Sequence, residues 1–223
     1  MFKRLIPVGL AAVLLFTGSR GVAAGIEPPN IYTAKQEIRA YVSSGEYFKR
    51  IAEVALQANK YLVKRIARGA KDGKKLAIVF DIDETTLSNL SHIVAQDFGF
   101  IPPAWDAWVV SARCPAIVPV QTIYDTAVRG QVEVFFITGR TEVQRASTER
   151  NLRDVGYETW TKVFFKPTDD PDLTTRGFKI DTRRKLQQQG YVIIANIGDQ
   201  DSDLVGGYAE RFFKLPNPFY LTK

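Results

Sequence analysis

The stretch AIVFDIDETTL, Ala77–Leu87, restricts the fold of this chain more than any other part of the sequence. The run Leu76–Phe80 is continuously apolar, which is typical of a strand covered on both faces of a sheet. Asp81 and Asp83 follow it at once. Because an unpaired carboxylate in a protein interior costs free energy, packing alone does not explain these acids. The stretch therefore predicts a buried strand whose end carries a functional site.

Strand-like and helix-like patterns alternate along the rest of the chain. Apolar runs predict further strands, and apolar residues at spacings of three and four predict helices between them. This alternation predicts an α/β fold with a mostly parallel sheet flanked by helices. The predicted strands are Leu76–Phe80, Val132–Ile137, Lys162–Phe165 and Tyr191–Ile197, and the predicted helices after the first strand are Val120–Arg129, Thr141–Val155 and Arg176–Gln189.

Two segments lie outside this alternation. Residues 31–68 predict an N-terminal helical extension that divides into two helices near Gly45. Residues 88–119, between the first two strands, are too many for a plain crossover, and they include His92 and Trp105. Since ligands bind at the carboxyl ends of the strands in open α/β sheets, we interpret this segment as a small, mostly helical cap. Residues 25–223 are thus predicted to form one domain with a cap insertion.

Residues 1–24 predict a secretory signal peptide. Lys3 and Arg4 precede a short apolar run, Leu5–Phe16, and small residues before Gly25 suit cleavage. The run is shorter than the ~20 residues of a membrane-spanning helix. We therefore expect an exported protein, periplasmic or secreted, with no stable membrane anchor after cleavage. Removing the segment lowers the net charge from +6 to +3, which is too mild to favour nucleic-acid binding.

Polar residues follow three of the predicted strands. Asp81 and Asp83 follow the first, residues 138–140 the second, and Asp199 and Asp203 lie after the last. Because the carboxyl ends of parallel strands share one edge, we expect these side chains to converge. Carboxylates held this close repel one another, and a divalent cation relieves the repulsion. Oxygen ligands without His or Cys favour Mg²⁺.

An Asp-x-Asp pair beside such a cation suits phosphoryl transfer in two steps. One carboxylate attacks phosphorus and forms an aspartyl-phosphate. The other protonates the leaving oxygen and then activates water. The phosphoryl oxygens need donors and positive charge around them. The candidates for these contacts are Thr138, Lys179, Gly139 and Arg140, together with His92 and Trp105 from the cap.

Four motifs resemble, in order, those of the haloacid dehalogenase (HAD) superfamily of phosphohydrolases: DIDET, FFITGR, FKIDTR and NIGDQDSD. The tail FKLPNPFY makes the chain similar to the acid phosphatases of subfamily IIIB, which group bacterial class C-type enzymes with plant vegetative storage proteins. The resemblance implies a Rossmann-like HAD sheet with Asp81 as nucleophile and Asp83 as general acid/base. It also implies that Thr138 and Lys179 hold the phosphoryl group.

The same resemblance implies how Mg²⁺ is bound. Asp81 and Asp199 are direct ligands, and Asp83 binds the metal through its backbone carbonyl. Asp203 belongs to the same site and orients water in the shell of the metal.

These features together predict an exported acid phosphatase that acts on small phosphomonoesters. Two alternatives stay open: a phosphotransferase, in which an alcohol replaces water, and a storage or binding protein of the same fold with little turnover. The intact site argues against the second. His92 is the only histidine, which excludes phosphohistidine and binuclear metallophosphatase chemistry. Val120 occupies the position after Cys114 where a cysteine phosphatase needs Arg. The sequence specifies neither the natural substrate nor the oligomeric state.

Overall fold

A parallel five-stranded sheet forms the centre of the protein, in the order β3-β2-β1-β4-β5. The computed structural model describes residues 28–70, 73–170 and 172–222. The predicted α/β class with a parallel sheet is confirmed. The strands are β1 (Lys75–Phe80), β2 (Glu133–Thr141), β3 (Lys162–Lys166), β4 (Tyr191–Gly198) and β5 (Phe212–Lys214).

Helices cover the sheet on both sides. Gly45, at φ 81°, separates the first two helices as the sequence predicts, because glycine adopts this left-handed conformation without steric cost. The helices are α1 (Ile31–Ser43), α2 (Glu46–Ile66), α3 (Leu90–Ala95), α4 (Pro102–Ser111), α5 (Val118–Arg129), α6 (Arg145–Asp154), α7 (Thr175–Gln188) and α8 (Asp201–Leu204), with a 3₁₀ turn at Glu142–Gln144.

The alternation of side chains along β1 explains its continuous apolar run. Ile78 and Phe80 belong to the larger core cluster, which includes side chains of α2 and α5. Ala77 and Val79 point to the opposite face, where they belong to a smaller cluster with Leu186 of α7. Both faces of the strand are therefore buried, so neither can carry polar residues.

Some boundaries differ from the predicted ones. The strand β2 does not stop at Ile137 but continues to Thr141, and its pairing register with β3 shifts between Thr138 and Thr141. The helix predicted from Thr141 therefore starts as a 3₁₀ turn and becomes α6 at Arg145. The elements β5 and α8 were not predicted, since three and four residues are too few to show a periodicity.

The strand order indicates where along the sheet a ligand is expected to bind. The chain adds β2 and β3 on one side of β1 and then crosses to add β4 and β5 on the other. The carboxyl ends of β1 and β4 are neighbours at this reversal, where open α/β sheets bind ligands. The predicted signal peptide, residues 1–24, lies outside the described residues. None of the helices within the described ranges has the length and apolar character needed to cross a bilayer.

Candidate active site

Three buried carboxylates meet at the ends of β1 and β4. Asp81 directly follows β1, and its amide donates to the carbonyl of Ile197 in β4 at 3.0 Å. Asp199 directly follows β4, and Asp203 lies in α8. One carboxylate oxygen from each of Asp81, Asp199 and Asp203 lies within 4.8 Å of the others. We call Asp81, Asp199, Asp203 and Lys179 the acid cluster.

Gly198 allows the turn after β4 to close over the cluster. A Cβ at this position would lie 2.4 Å from the Cβ of Asp203, which is too close for two non-bonded carbon atoms. The absence of a side chain at Gly198 therefore lets Asp203 return toward Asp199 within one short turn.

Lys179 supplies positive charge inside the cluster from α7. Its ammonium donates to the carboxylate of Asp81 and to Oδ1 of Asp203, the latter at 2.5 Å. Burial alone would lower the pKa of Lys179, but the charges of Asp203 and Asp81 outweigh it and raise the pKa. Three carboxylates and one ammonium leave two negative charges when all are ionised, which is the charge a divalent cation neutralises.

The pKa values of two carboxylates in the acid cluster are raised. Burial raises the pKa of Asp81 well above its usual range, with Lys179 opposing the shift. Burial, followed by the negative charge of Asp203, raises the pKa of Asp199 to about 6. Burial, and after it the neighbouring carboxylates, thus disfavours the ionised forms, which a nearby positive charge would favour.

Residues 215–222, which we call the C-terminal segment, help to hold Asp199 in place together with Gln200 and Thr85. Oδ2 of Asp199 accepts from Nδ2 of Asn217 at 2.7 Å and from Nε2 of Gln200 at 2.8 Å, while Oδ1 accepts from Oγ1 of Thr85 at 2.9 Å. Oδ1 of Asn217 in turn accepts from the amide of Phe219 at 2.8 Å. The sequence analysis did not identify Asn217, although an Asn between two prolines is a turn signal that pointed to it.

Asp83 lies apart from the acid cluster, in other surroundings. Its Oδ1 accepts from Nη2 of Arg140 at 2.7 Å and from Nδ2 of Asn89 at 2.9 Å. Arg140, predicted to bind substrate, lines the cavity, but its buried guanidinium is occupied by Asp83 and by Oγ1 of Thr148. The sequence analysis did not predict this ion pair.

Thr138 and Gly139 lie next to each other at different depths. Thr138 is fully buried, and its Oγ1 accepts from the amide of Arg140 at 3.1 Å. Gly139 is exposed and contributes to the wall of the cavity.

A cavity of about 430 Å³ opens over these groups. One side carries the carboxylates and Lys179, and another side is aromatic. His92 stacks on Trp108 with ring centroids 5.5 Å apart, and burial lowers its pKa. The aromatic lining consists of His92, Phe98, Phe100, Trp105, Phe219 and Tyr220.

Glu84 is a further buried acid that the sequence analysis did not assign. Its carboxylate accepts from the amide and the Nδ2 of Asn89 and from the hydroxyl of Tyr220. Burial raises its pKa to about 8. Glu84 thus links the loop after β1 to residues 88–119 and to the C-terminal segment.

Comparison with known proteins finds a matching family model and similar plant proteins. The family model of the HAD superfamily, subfamily IIIB (acid phosphatase), matches residues 12–223. The chain is 36% identical over 188 residues to the stem 28 kDa glycoprotein of Glycine max, covering 82% of this chain and 72% of that protein. It is 34% identical over 187 residues to acid phosphatase 1 of Solanum lycopersicum, with the same coverage.

A solved structure agrees with these relatives. The class C acid phosphatase from Bacillus anthracis superposes with a TM-score of 0.69 and 26% sequence identity, covering 84% of this chain and 86% of that one. The same enzyme has been solved with tungstate bound, and that structure superposes with a TM-score of 0.68.

Proposed function

The chain belongs to the acid phosphatases of HAD superfamily subfamily IIIB, and on that premise we propose that it is an exported, Mg²⁺-dependent enzyme that forms an aspartyl-phosphate on Asp81. As a member of this family it is a phosphoric monoester hydrolase that acts on phosphate esters. The observation that carries the proposal is the buried acid cluster at the ends of β1 and β4.

The donors of the acid cluster fit a hard divalent cation. All three acidic members offer oxygen, and their charges exceed that of Lys179 by two. Asp81 and Asp199 would bind Mg²⁺ directly, together with the backbone carbonyl of Asp83. Both oxygens of Asp203 are occupied, by Lys179 and by the amide of Gln200, which supports a role in orienting water. Bound Mg²⁺ supplies the positive charge that lets a phosphoryl group approach these carboxylates.

The residues of the chain divide the two steps between them. A carboxylate oxygen of Asp81 attacks phosphorus, the bond from phosphorus to the leaving oxygen breaks, and Asp83 gives its proton to that oxygen. Asp83 then takes a proton from water, the water oxygen attacks phosphorus, and the bond to Asp81 breaks to release phosphate. Lys179 and the hydroxyl of Thr138 hold the phosphoryl oxygens.

The segment 88–119 acts as the cap in this proposal. Its side chains His92 and Trp105 line the cavity, opposite Phe219 and Tyr220 of the C-terminal segment. Aromatic walls of this kind favour leaving groups that carry a ring over simple alkyl groups.

Hydrolysis of p-nitrophenyl phosphate at mildly acidic pH tests the cation requirement. We expect EDTA to abolish phosphate release and Mg²⁺ to restore it, with Ca²⁺ restoring less because its coordination is larger and looser. Full activity in EDTA would refute the Mg²⁺ proposal. No activity with Mg²⁺ on any simple monoester would favour a storage protein of the same fold.

Export has its own test. Residues 1–24 are proposed to be removed, so the mature chain should begin at Gly25. N-terminal sequencing of the protein recovered outside the cytoplasm checks this. An N-terminus at Met1 in that fraction would contradict the proposed cleavage.

A further inference from the structure

The carboxylate of Asp83 is held almost entirely through one of its oxygens. Oδ1 accepts from Nη2 of Arg140 at 2.7 Å, from Nδ2 of Asn89 at 2.9 Å and from Nε of Arg140 at 3.1 Å. Within the described residues, Oδ2 accepts a single hydrogen bond, from the same Nε at 3.2 Å. The side chain of Asp83 retains 18% exposure, whereas that of Arg140 retains 1%. The two oxygens of this carboxylate are therefore unequal, and Oδ2 is the less engaged one.

Arg140 has little freedom to move. Its Nη1 donates to Oγ1 of Thr148 at 3.0 Å, and its guanidinium lies 5.6 Å from the ring of Trp105. Its backbone amide donates to Thr138 within the shifted register of β2. A buried guanidinium that donates two hydrogen bonds to a carboxylate fixes it in both distance and plane.

Asn89 is fixed equally well from the other direction. It is fully buried, its side-chain Nδ2 also donates to Oε2 of Glu84 at 2.9 Å, and its Oδ1 accepts from Nε1 of Trp108 at 2.8 Å. These two contacts set which end of the amide faces Asp83, because only the Nδ2 end can donate. Asn89 thereby connects Asp83 to α4.

We propose that Asn89 and Arg140 are positioning residues that hold Oδ1 of Asp83 so that Oδ2 carries the proton to and from the reaction. The inference rests on the proposed role of Asp83 as general acid/base. In the first step the proton leaves Oδ2 for the leaving oxygen, whose bond to phosphorus breaks, and the carboxylate that forms is paired with Arg140. In the second step Oδ2 receives a proton from the attacking water. Arg140 is thus assigned to Asp83 rather than to the substrate.

A comparison of leaving groups tests this inference. The p-nitrophenolate anion leaves without a proton, whereas phenolate needs one, so only phenyl phosphate depends strongly on the acid. The parameter is kcat/KM in Mg²⁺, since it covers the steps through departure of the leaving group. The positioning variants are Asn89→Leu, Arg140→Met and Arg140→Lys, and Asp83→Asn is the reference. Arg65→Gln is the control, because Arg65 binds Glu210 and contacts none of these groups.

We expect Asp83→Asn to lower kcat/KM for phenyl phosphate on the order of 10²-fold more than for p-nitrophenyl phosphate. Asn89→Leu and Arg140→Met should show the same bias, at roughly tenfold, and Arg140→Lys should keep part of the activity toward phenyl phosphate because it keeps the charge. Arg65→Gln should leave kcat/KM for both substrates unchanged.

Two outcomes would overturn the inference. If Asp83→Asn discriminates between the substrates but the Asn89 and Arg140 variants slow both equally, the positioning role is wrong and the proposed function stands. If Asp83→Asn does not discriminate, its role as the acid is wrong, and the positioning role falls with it. Arg140→Lys keeps the test decisive if Asn89→Leu does not fold, because it preserves a buried cation at that position.

Discussion

Asp81 and Asp83 are two residues apart, yet the regions that surround them balance charge in opposite ways. Around Asp81, the acid cluster holds three largely buried carboxylates and one largely buried ammonium at the base of the cavity. Around Asp83, one carboxylate meets one guanidinium and a neutral amide. In the first region the negative charges exceed the positive charge by two, whereas in the second region one negative charge meets one positive charge. An Asp-x-Asp pair can therefore provide a nucleophile beside a cation and a proton carrier away from it.

The two regions also come from different parts of the fold. The acid cluster is built where β1 and β4 end side by side, so the sheet itself brings the carboxylates together. The surroundings of Asp83 come from the irregular end of β2 and from residues 88–119. The sheet determines the first region, and side-chain contacts across loops determine the second.

The largest effect is expected from removing a proposed Mg²⁺ ligand of the acid cluster. Asp199→Asn should abolish the rise in melting temperature that Mg²⁺ causes, which in the wild type corresponds to about 2.7 kcal/mol at a hundredfold excess over Kd. Asp83→Asn should keep that rise, because its carboxylate does not belong to the cluster and its backbone carbonyl is retained. Thermal unfolding with and without Mg²⁺ measures both. If both variants lost the Mg²⁺-induced rise in melting temperature equally, the proposed difference between the two regions would be contradicted.

A smaller effect is expected from loosening Asp199 without removing it. Asn217→Ser keeps an oxygen that can accept from the amide of Phe219 and loses the Nδ2 donor to Asp199. Loss of a group that orients a ligand typically weakens metal binding 10- to 100-fold. Calorimetric titration with Mg²⁺ checks this, with Arg65→Gln as control, since Arg65 binds Glu210 and no member of the cluster. Unchanged Mg²⁺ affinity in Asn217→Ser would show that the C-terminal segment does not position Asp199.

The last prediction concerns the pH dependence of stability rather than metal binding, through Glu84, which borders both regions. Burial raises its pKa from 4.5 to about 8, so the folded protein keeps a proton that the unfolded chain releases over that range. Its contribution to stability is fully present below pH 4.5 and is lost as the pH rises toward about 8, by at most about 1.4 kcal/mol per pH unit. Glu84→Gln should flatten this decline in the cation-free protein. Urea unfolding at several pH values measures the difference, and parallel curves for the two proteins would contradict the shift.

The acid cluster was predictable because it follows from strand ends. Continuous apolar runs identified β1, β2 and β4, and parallel pairing brings their carboxyl ends to one edge. The motifs after these runs therefore predicted that Asp81, Asp83, Asp199 and Asp203 converge. Asp81, Asp199 and Asp203 do so, whereas the side chain of Asp83 pairs with Arg140 instead.

The surroundings of Asp83 were not predictable in the same way. The pair of Asp83 and Arg140 joins residues 57 positions apart and depends on the register shift at the end of β2. Asn89 is hydrogen-bonded to the side chains of four residues, Asp83, Glu84, Trp108 and Cys114, and only the packed loops bring this set together. The short strand β5, which carries the chain to Asn217, left no periodic signal. Local pattern predicts elements and their ends, whereas contacts between loops depend on tertiary packing.

The central claim is that Asp81, within the acid cluster, attacks phosphorus. The most direct test measures the initial rate of p-nitrophenyl phosphate hydrolysis by wild type and Asp81→Asn, in saturating Mg²⁺ and again in EDTA. We expect wild-type activity that requires Mg²⁺ and falls at least on the order of 10⁴-fold in the variant, because removal of a covalent nucleophile leaves only the residual catalysis of the site. Activity that survives in Asp81→Asn would contradict the account and assign the nucleophile elsewhere.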